Sequence, residues 1–157
     1  MSAFKSAFIE TPIGLMMAIA DHTYLHALTF CHENTSLNSW KEGEIASGKT
    51  DPILSIEHEL KSYFSGTLKT FKTPYQVAGT PFQKRAWDVL QTIPFGETRS
   101  YLEQAQSLGN PKAFRAVANA NGVNQHAIMI PCHRIIQHNG ALGGYSAGIE
   151  KKKWLLE

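Results

Sequence analysis

Cysteine is scarce in this chain of 157 residues: Cys31 and Cys132 are the only two. Two thiols do not build a disulfide framework, so a reducing compartment, the cytoplasm, is the expected setting. No staple is needed, because a chain of about 150 residues buries roughly two-thirds of its unfolded surface. Long apolar runs are also missing. AIMI at 127–130 is representative, far short of the ~20 residues of a membrane span. The start, MSAFKSAFIETPIG, lacks a charged head followed by a long apolar core, so no signal peptide is expected. There is no Cys-x-x-Cys; Cys31-His32 and His22-x3-His26 are near each other in sequence, but His22 and His26 lie in or beside a predicted strand. No metal site is expected from them. Repeats and low-complexity tracts are absent. Hydrophobic residues make up 43% and charged residues 18%, a globular balance that excludes disorder, coiled coil and collagen.

What is present is unevenly spread. The net charge is +2, but residues 1–79 hold six Lys and Arg against eight Asp and Glu, while residues 80–157 hold nine against five. The positive half suits an anionic partner.

The first thirty residues read as an antiparallel meander: AFIE at 7–10, LMMAIA at 15–20 and YLHALTF at 24–30, separated by turn residues. Residues 33–50 are polar and read as a loop. Asp51-Pro52 starts a helix whose apolar face is Ile53, Ile56, Leu60, Tyr63 and Phe64. Residues 67–79 lack a helical period and read as a linker. Thr80-Pro81 opens a second helix with Phe82, Ala86, Val89 and Ile93 on one stripe. Ser100-x-x-Glu103 is a capping box for a third, with Leu102, Ala105 and Leu108 inward. Asn110-Pro111 starts a fourth, ended by Gly122. A helix, a Gly-containing turn and a second helix outline a helix-turn-helix. IEKKKWLLE at the end reads as a helix contacting through Ile149, Trp154 and Leu155, with Lys151 to Lys153 as a solvated face. The domains expected are 1–79 and 80–157.

Pro131-Cys132-His133-Arg134 is the sharpest chemical feature. Cys132 follows the apolar run 127–130, read as a buried strand, where a thiol commonly serves as core filler. His133 and Arg134 beside it favour a thiolate, the nucleophilic form. A cysteine hydrolase stays open on pattern alone, with His22, His26, His32, His58, His126 and His138 as bases. Lys112 and Arg115, one turn apart on the second helix of the pair, are placed to meet phosphates or enter a groove. The glycine-rich stretch Gly143 to Gly148 does not follow a strand into a helix, which rejects a dinucleotide site. It reads as a loop closing over a ligand.

The run NANGVNQHAIMIPCHRII at 119–136, with GALGGYSAGIEKKKWLL at 140–156 and PFQKRAWDVLQTIPFGETRSY at 81–101, resembles the O6-alkylguanine-DNA alkyltransferases, or methylated-DNA–protein-cysteine methyltransferases. The likeness covers nearly all of 80–157; the first half is similar in outline. The resemblance implies an α/β (α+β) architecture: an N-terminal ribonuclease-H-like domain, a small antiparallel sheet plus helix, and a C-terminal, mostly helical winged helix-turn-helix domain. It implies stoichiometric repair of alkylated double-stranded DNA. Cys132 takes the alkyl group from O6-alkylguanine, and from O4-alkylthymine, after the base is flipped from the stack. The protein is itself the acceptor, so no cofactor is expected, and a monomer is.

By the same resemblance Cys132 is the nucleophile, His133 the water-bridged base and Asn124 a brace. Tyr101 crowds the phosphate and contacts the flipped base, and Arg115 fills the vacated stack. Tyr145, Ser146 and the Ile135 backbone form the guanine pocket, with Lys112 and Arg134 as further DNA contacts. Two departures stand out. Aligned on Trp154, the family's relay glutamate falls two residues past Glu157, which implies a truncated chain or an incomplete relay. Glu157 is no substitute, since two residues turn it ~200° around a helix. Gln125 stands where the family has proline after Asn124. An incomplete relay keeps a non-catalytic damage sensor as the alternative.

Overall fold

The computed structural model describes residues 4–31, 45–137, 139–145 and 148–156, and the chain divides into two compact units, Met1–Val77 and Ala78–Glu157.

In the first unit, strands β1 (Phe4–Thr11), β2 (Gly14–Ala20) and β3 (Leu25–Phe30) form the expected meander. β1 and β2 pair from Lys5↔Ala20 to Thr11↔Gly14. Their turn is closed by the Thr11 hydroxyl donating to Gly14 O at 2.6 Å. At the next turn Asp21 Oδ1 accepts the amides of Thr23 and Tyr24 at 2.8 and 2.6 Å. The sheet is not purely antiparallel. The polar segment read as a loop ends in β4 (Ile45–Ser47), which pairs parallel with β1 and gives the order β3-β2-β1-β4. A three-residue edge strand carries too little alternation to be seen in sequence.

Helix α1 (Asp51–Phe64) packs on β1 and β2 through Ile53, Ile56 and Leu60, all buried. Thr50, not Asp51, is its N-cap, and Asp51 stands in the first turn, where an anion favours the helix dipole. The segment after α1 returns along the sheet. Glu59 accepts the amides of Lys72 and Thr73 at 2.7 and 2.9 Å. Leu25 exchanges backbone bonds with Pro74 and Gln76, each 2.9 Å.

The second unit is mostly helical. Helix α2 (Pro81–Gln91) opens on a capping box formed by Thr80 and Gln83. A short strand, β5 (Arg99–Ser100), leads into α3 (Tyr101–Ser107), which carries the Ser100–Glu103 capping box expected from sequence. Each such cap is worth ~1 kcal/mol. A 3-10 turn (Pro111–Ala113) precedes α4 (Phe114–Gly122). A second 3-10 turn (Cys132–Arg134) feeds β6 (Ile135–Ile136), which pairs parallel with β5, and α5 spans Ile149–Leu156.

Polar side chains bind the helix pair together. Gln104 and Asn121 exchange amide bonds at 3.0 and 2.8 Å, and Gln104 also donates to Ala86 O. The Trp87 indole donates to Ala120 O at 2.9 Å. Both amides and the indole are buried, so these bonds replace water rather than compete with it. Leu102, expected inward, is 38% exposed. Among the described residues no helix is long and apolar enough to cross a membrane.

Candidate active site

The backbone that carries Cys132 is a chain of tight turns. The apolar run 127–130 is buried as expected but is not a strand. Ile128 has φ +71°, a left-handed conformation that β-branched residues rarely take, and a strand cannot pass through it. Ile130 N bonds His126 O at 3.0 Å, and Cys132 N bonds Ile130 O at 2.8 Å. This coil is held from inside by Asn124. Its Nδ2 donates to Ile130 O at 2.8 Å and to Cys132 Sγ at 3.4 Å, while its Oδ1 accepts the His126 amide at 2.9 Å. A donor aimed at sulfur favours the thiolate.

Cys132, His133 and Arg134 are all buried on the 3-10 turn. Burial pushes the His133 imidazole down to about 3, and the Arg134 and Lys152 charges act in the same direction. His133 is therefore neutral near pH 7, with a free lone pair but little tendency to hold a proton. Its Nδ1 has no hydrogen-bond partner among the described residues. Arg134 faces inward: Nη1 donates to Ile93 O at 2.7 Å and the guanidinium lies 5.7 Å from the Phe95 ring centre. It ties the turn to the end of α2 rather than standing free at the surface.

Ile135 is fully buried, in register with Arg99. A groove of about 740 Å³ in the same unit is lined by Tyr101, Lys112, Phe114, Arg115, Gly143 and Gly144, among others. Lys112 and Arg115 are exposed there, as is Phe114. Val117, Ala120 and Asn121 turn the opposite side of α4 into the core. Tyr101 lines this groove. Burial raises its hydroxyl's pKa, and charge on Cys132 raises it further. Gly143, at φ +71°, lets the loop approach, since a Cβ there would stand 3.1 Å from the Tyr101 ring. Tyr145 is half-buried with its hydroxyl enclosed. Ser146 lies outside the described residues.

α5 corrects two expectations. Ile149 and Trp154 are exposed, at 55% and 43%. Lys152, read as part of a solvated face, is fully buried; its Nζ donates to Gly144 O at 3.1 Å and lies 5.8 Å from the Tyr101 ring centre. Sequence reasoning missed this residue. The signal available was its place three residues before Leu155, the buried leucine of the same helix face.

Two family models match the chain. The DNA binding domain of 6-O-methylguanine DNA methyltransferase matches residues 81–157, and the ribonuclease-like domain of the same protein matches residues 4–77. The methylated-DNA–protein-cysteine methyltransferase of Methanosarcina acetivorans is 40% identical, over 96% of this chain and 95% of its own. The Shigella flexneri protein of that name is 37% identical, over 94% and 91%. The crystal structure of Mycobacterium tuberculosis OGT in complex with DNA superposes with a TM-score of 0.88 at 37% identity, over 97% of this chain and 90% of that one. Both halves of the chain, and the buried Cys132 within the second, thus belong to the 6-O-methylguanine DNA methyltransferase family.

Proposed function

We propose that this protein repairs duplex DNA by direct reversal, moving the alkyl group of O6-alkylguanine, and of O4-alkylthymine, onto Cys132 once per molecule. The observation that carries the reading is the Asn124 amide 3.4 Å from Cys132 Sγ, in a buried turn of the same unit as a groove lined by Lys112 and Arg115. The thiol first loses its proton through water, with neutral His133 as the base that relays it onward and holds it only in passing. The thiolate then attacks the alkyl carbon. The S–C bond forms as the C–O bond breaks, and the electron pair goes to guanine O6. The purine takes up one proton overall, so a thiol and an alkylated base become a thioether and guanine. A hydrogen-bond donor at the departing oxygen lowers the barrier, and the Tyr101 hydroxyl, kept protonated by its raised pKa, is the group we assign.

The target carbon is inside a base stack, so the nucleotide must be extruded. Arg115 is the side chain we assign to the vacated place, where a guanidinium stacks on neighbouring bases, and Lys112 a phosphate contact. Tyr145, Ser146 and the Ile135 backbone are the pocket for the base. Arg134, bonded to Ile93 O, serves this reading as a brace of the turn. The protein acts as a monomer, and a reducing cytoplasm is consistent with two cysteines that form no disulfide.

Intact-protein mass spectrometry after incubation with an O6-methylguanine duplex tests the proposal. The expected result is one methyl group per chain, mapped to Cys132 and absent in Cys132→Ser. No mass gain despite DNA binding would overturn it in favour of a damage sensor, and repeated turnover of an ester would favour a cysteine hydrolase.

A further inference from the structure

We infer that Lys152 is the counter-charge of Cys132: an enclosed ammonium beside Tyr101 and the Gly144 carbonyl that holds the sulfur as a thiolate near pH 7. The inference rests on the reading of Cys132 as the nucleophile.

Lysine is among the residues least often buried without a charged partner, yet Lys152 is fully buried on α5. Its Nζ has three donors, and among the described residues its hydrogen-bond partner is Gly144 O. No carboxylate pairs with it: the ion pairs among those residues are Asp21–His26, Lys49–Glu57 and Glu97–Arg99. α5 packs on the 3-10 turn that carries Cys132. The one anion the site generates is the Cys132 thiolate, carried on the turn against which α5 packs. Burial lowers the lysine to about 8, while charge on Cys132 acts to raise it.

The other charged and titratable groups around Lys152 do not take this role. His133, on the turn, is pushed down by burial and by the Arg134 and Lys152 cations, so it supplies no imidazolium to the sulfur. Arg134 is engaged with Ile93 O and Phe95. Tyr101, on α3, presents its ring at 5.8 Å and is kept protonated. The Tyr145 hydroxyl is enclosed and is no cation. Glu150 and Lys153, on α5 itself, are exposed, and Lys151 is half-buried. At neutral pH Lys152 is thus the buried cation left to face the sulfur. It gives up no proton during transfer. It acts through Cys132, as a positioning charge that makes ionisation easier.

Two measurements test this. The first is the pH profile of Cys132 carbamidomethylation by iodoacetamide, in a Cys31→Ser background, for the parent, Lys152→Met and Lys152→Arg. Loss of the charge is expected to raise the thiol pKa by at least about one unit, so reactivity near pH 7 drops roughly tenfold and recovers at higher pH. Lys152→Arg keeps the parent profile. A parent-like profile in folded Lys152→Met would overturn the inference.

The second needs no loss of the lysine and holds if Lys152→Met does not fold. Coupling is reciprocal, so turning the thiolate into a thioether removes the anion that supports the ammonium. In the parent protein labelled at the lysine side-chain nitrogen, the Lys152 resonance, assigned by its loss in Lys152→Arg, is expected to titrate at lower pH after methyl transfer. A titration unchanged by methylation would overturn the inference. Failure of the nucleophile reading looks different: Cys132→Ser would still accept the methyl group.

Discussion

Asn124 Nδ2 stands 2.8 Å from Ile130 O and 3.4 Å from Cys132 Sγ, so one amide both closes the turn and faces the sulfur. Asn124→Ala removes both bonds and the Oδ1 acceptor of the His126 amide, while Ile130 O keeps the Cys132 amide; losing these buried bonds is expected to cost ~1–3 kcal/mol of stability. It also removes a donor that favours the thiolate. Urea unfolding is expected to show the first effect, and a higher apparent thiol pKa in iodoacetamide labelling the second.

Acid weakens the fold through His133. Its folded pKa, about 3, lies below the ordinary value near 6.5, so the unfolded chain binds the proton first and stability falls as pH drops below ~6.5. Between pH 7 and pH 5 this one group accounts for about 2 kcal/mol. Lys152 adds no slope there, because it is protonated in both states. Comparing the pH dependence of urea unfolding in the parent and in His133→Asn should show a flatter curve for the variant.

The Gln104–Asn121 exchange predicts a coupled pair. Gln104→Leu strands the buried Asn121 amide and is expected to cost ~1–3 kcal/mol. The double change to leucine at both positions should cost less than the two single changes added together. A double-mutant cycle by chemical denaturation reads the coupling, and strict additivity would refute it.

Two glycines of one loop separate conformational cost from contact. Gly140 and Gly143 both have positive φ, at +90° and +71°, but a Cβ at Gly140 meets nothing within 4 Å while one at Gly143 meets Tyr101 at 3.1 Å. Gly140→Ala should lose the left-handed preference alone, roughly 1–2 kcal/mol. Gly143→Ala should lose that and, by displacing Tyr101, slow methyl transfer as well. Transfer rates for the two variants, set against their stabilities, make the comparison.

On DNA, Lys112→Ala should lower the salt slope of duplex binding by about one, as expected for a phosphate contact. Arg115→Ala should slow transfer from duplex DNA by roughly tenfold, equivalent to ~1.4 kcal/mol, and leave iodoacetamide labelling of Cys132 unchanged. Binding titrations at several salt concentrations and single-turnover kinetics check both.

Features governed by neighbouring residues were legible in the sequence. The Ser100–Glu103 capping box, the meander through Phe30 and the apolar face of α1 all depend on residues within a few positions of one another. What depends on distant partners was not legible. β4 exists because β1 offers a free edge, and nothing in Ile45–Ser47 alone announces it. The run 127–130 has strand composition, but the turn at Ile128 and the Asn124 bonds curl it. Lys152 sits between two other lysines, and only its place three residues before Leu155 sets it apart from them before α5 docks. Of the candidate site, the thiol and its neighbours were visible as a motif, and the burial of Lys152 was not.

Trp87 and Gln104 bond to the carbonyls of Ala120 and Ala86, groups that every amino acid possesses. The acceptor positions can therefore change identity without weakening those two bonds, provided the side chain fits. Arg115, Ala118 and Asn119 lie on the outer face of the same helix and take no part in them. Scaffold and reading surface are thereby modular: the outer positions of α4 can be exchanged, in evolution or by design, while the joint that seats the helix is left intact.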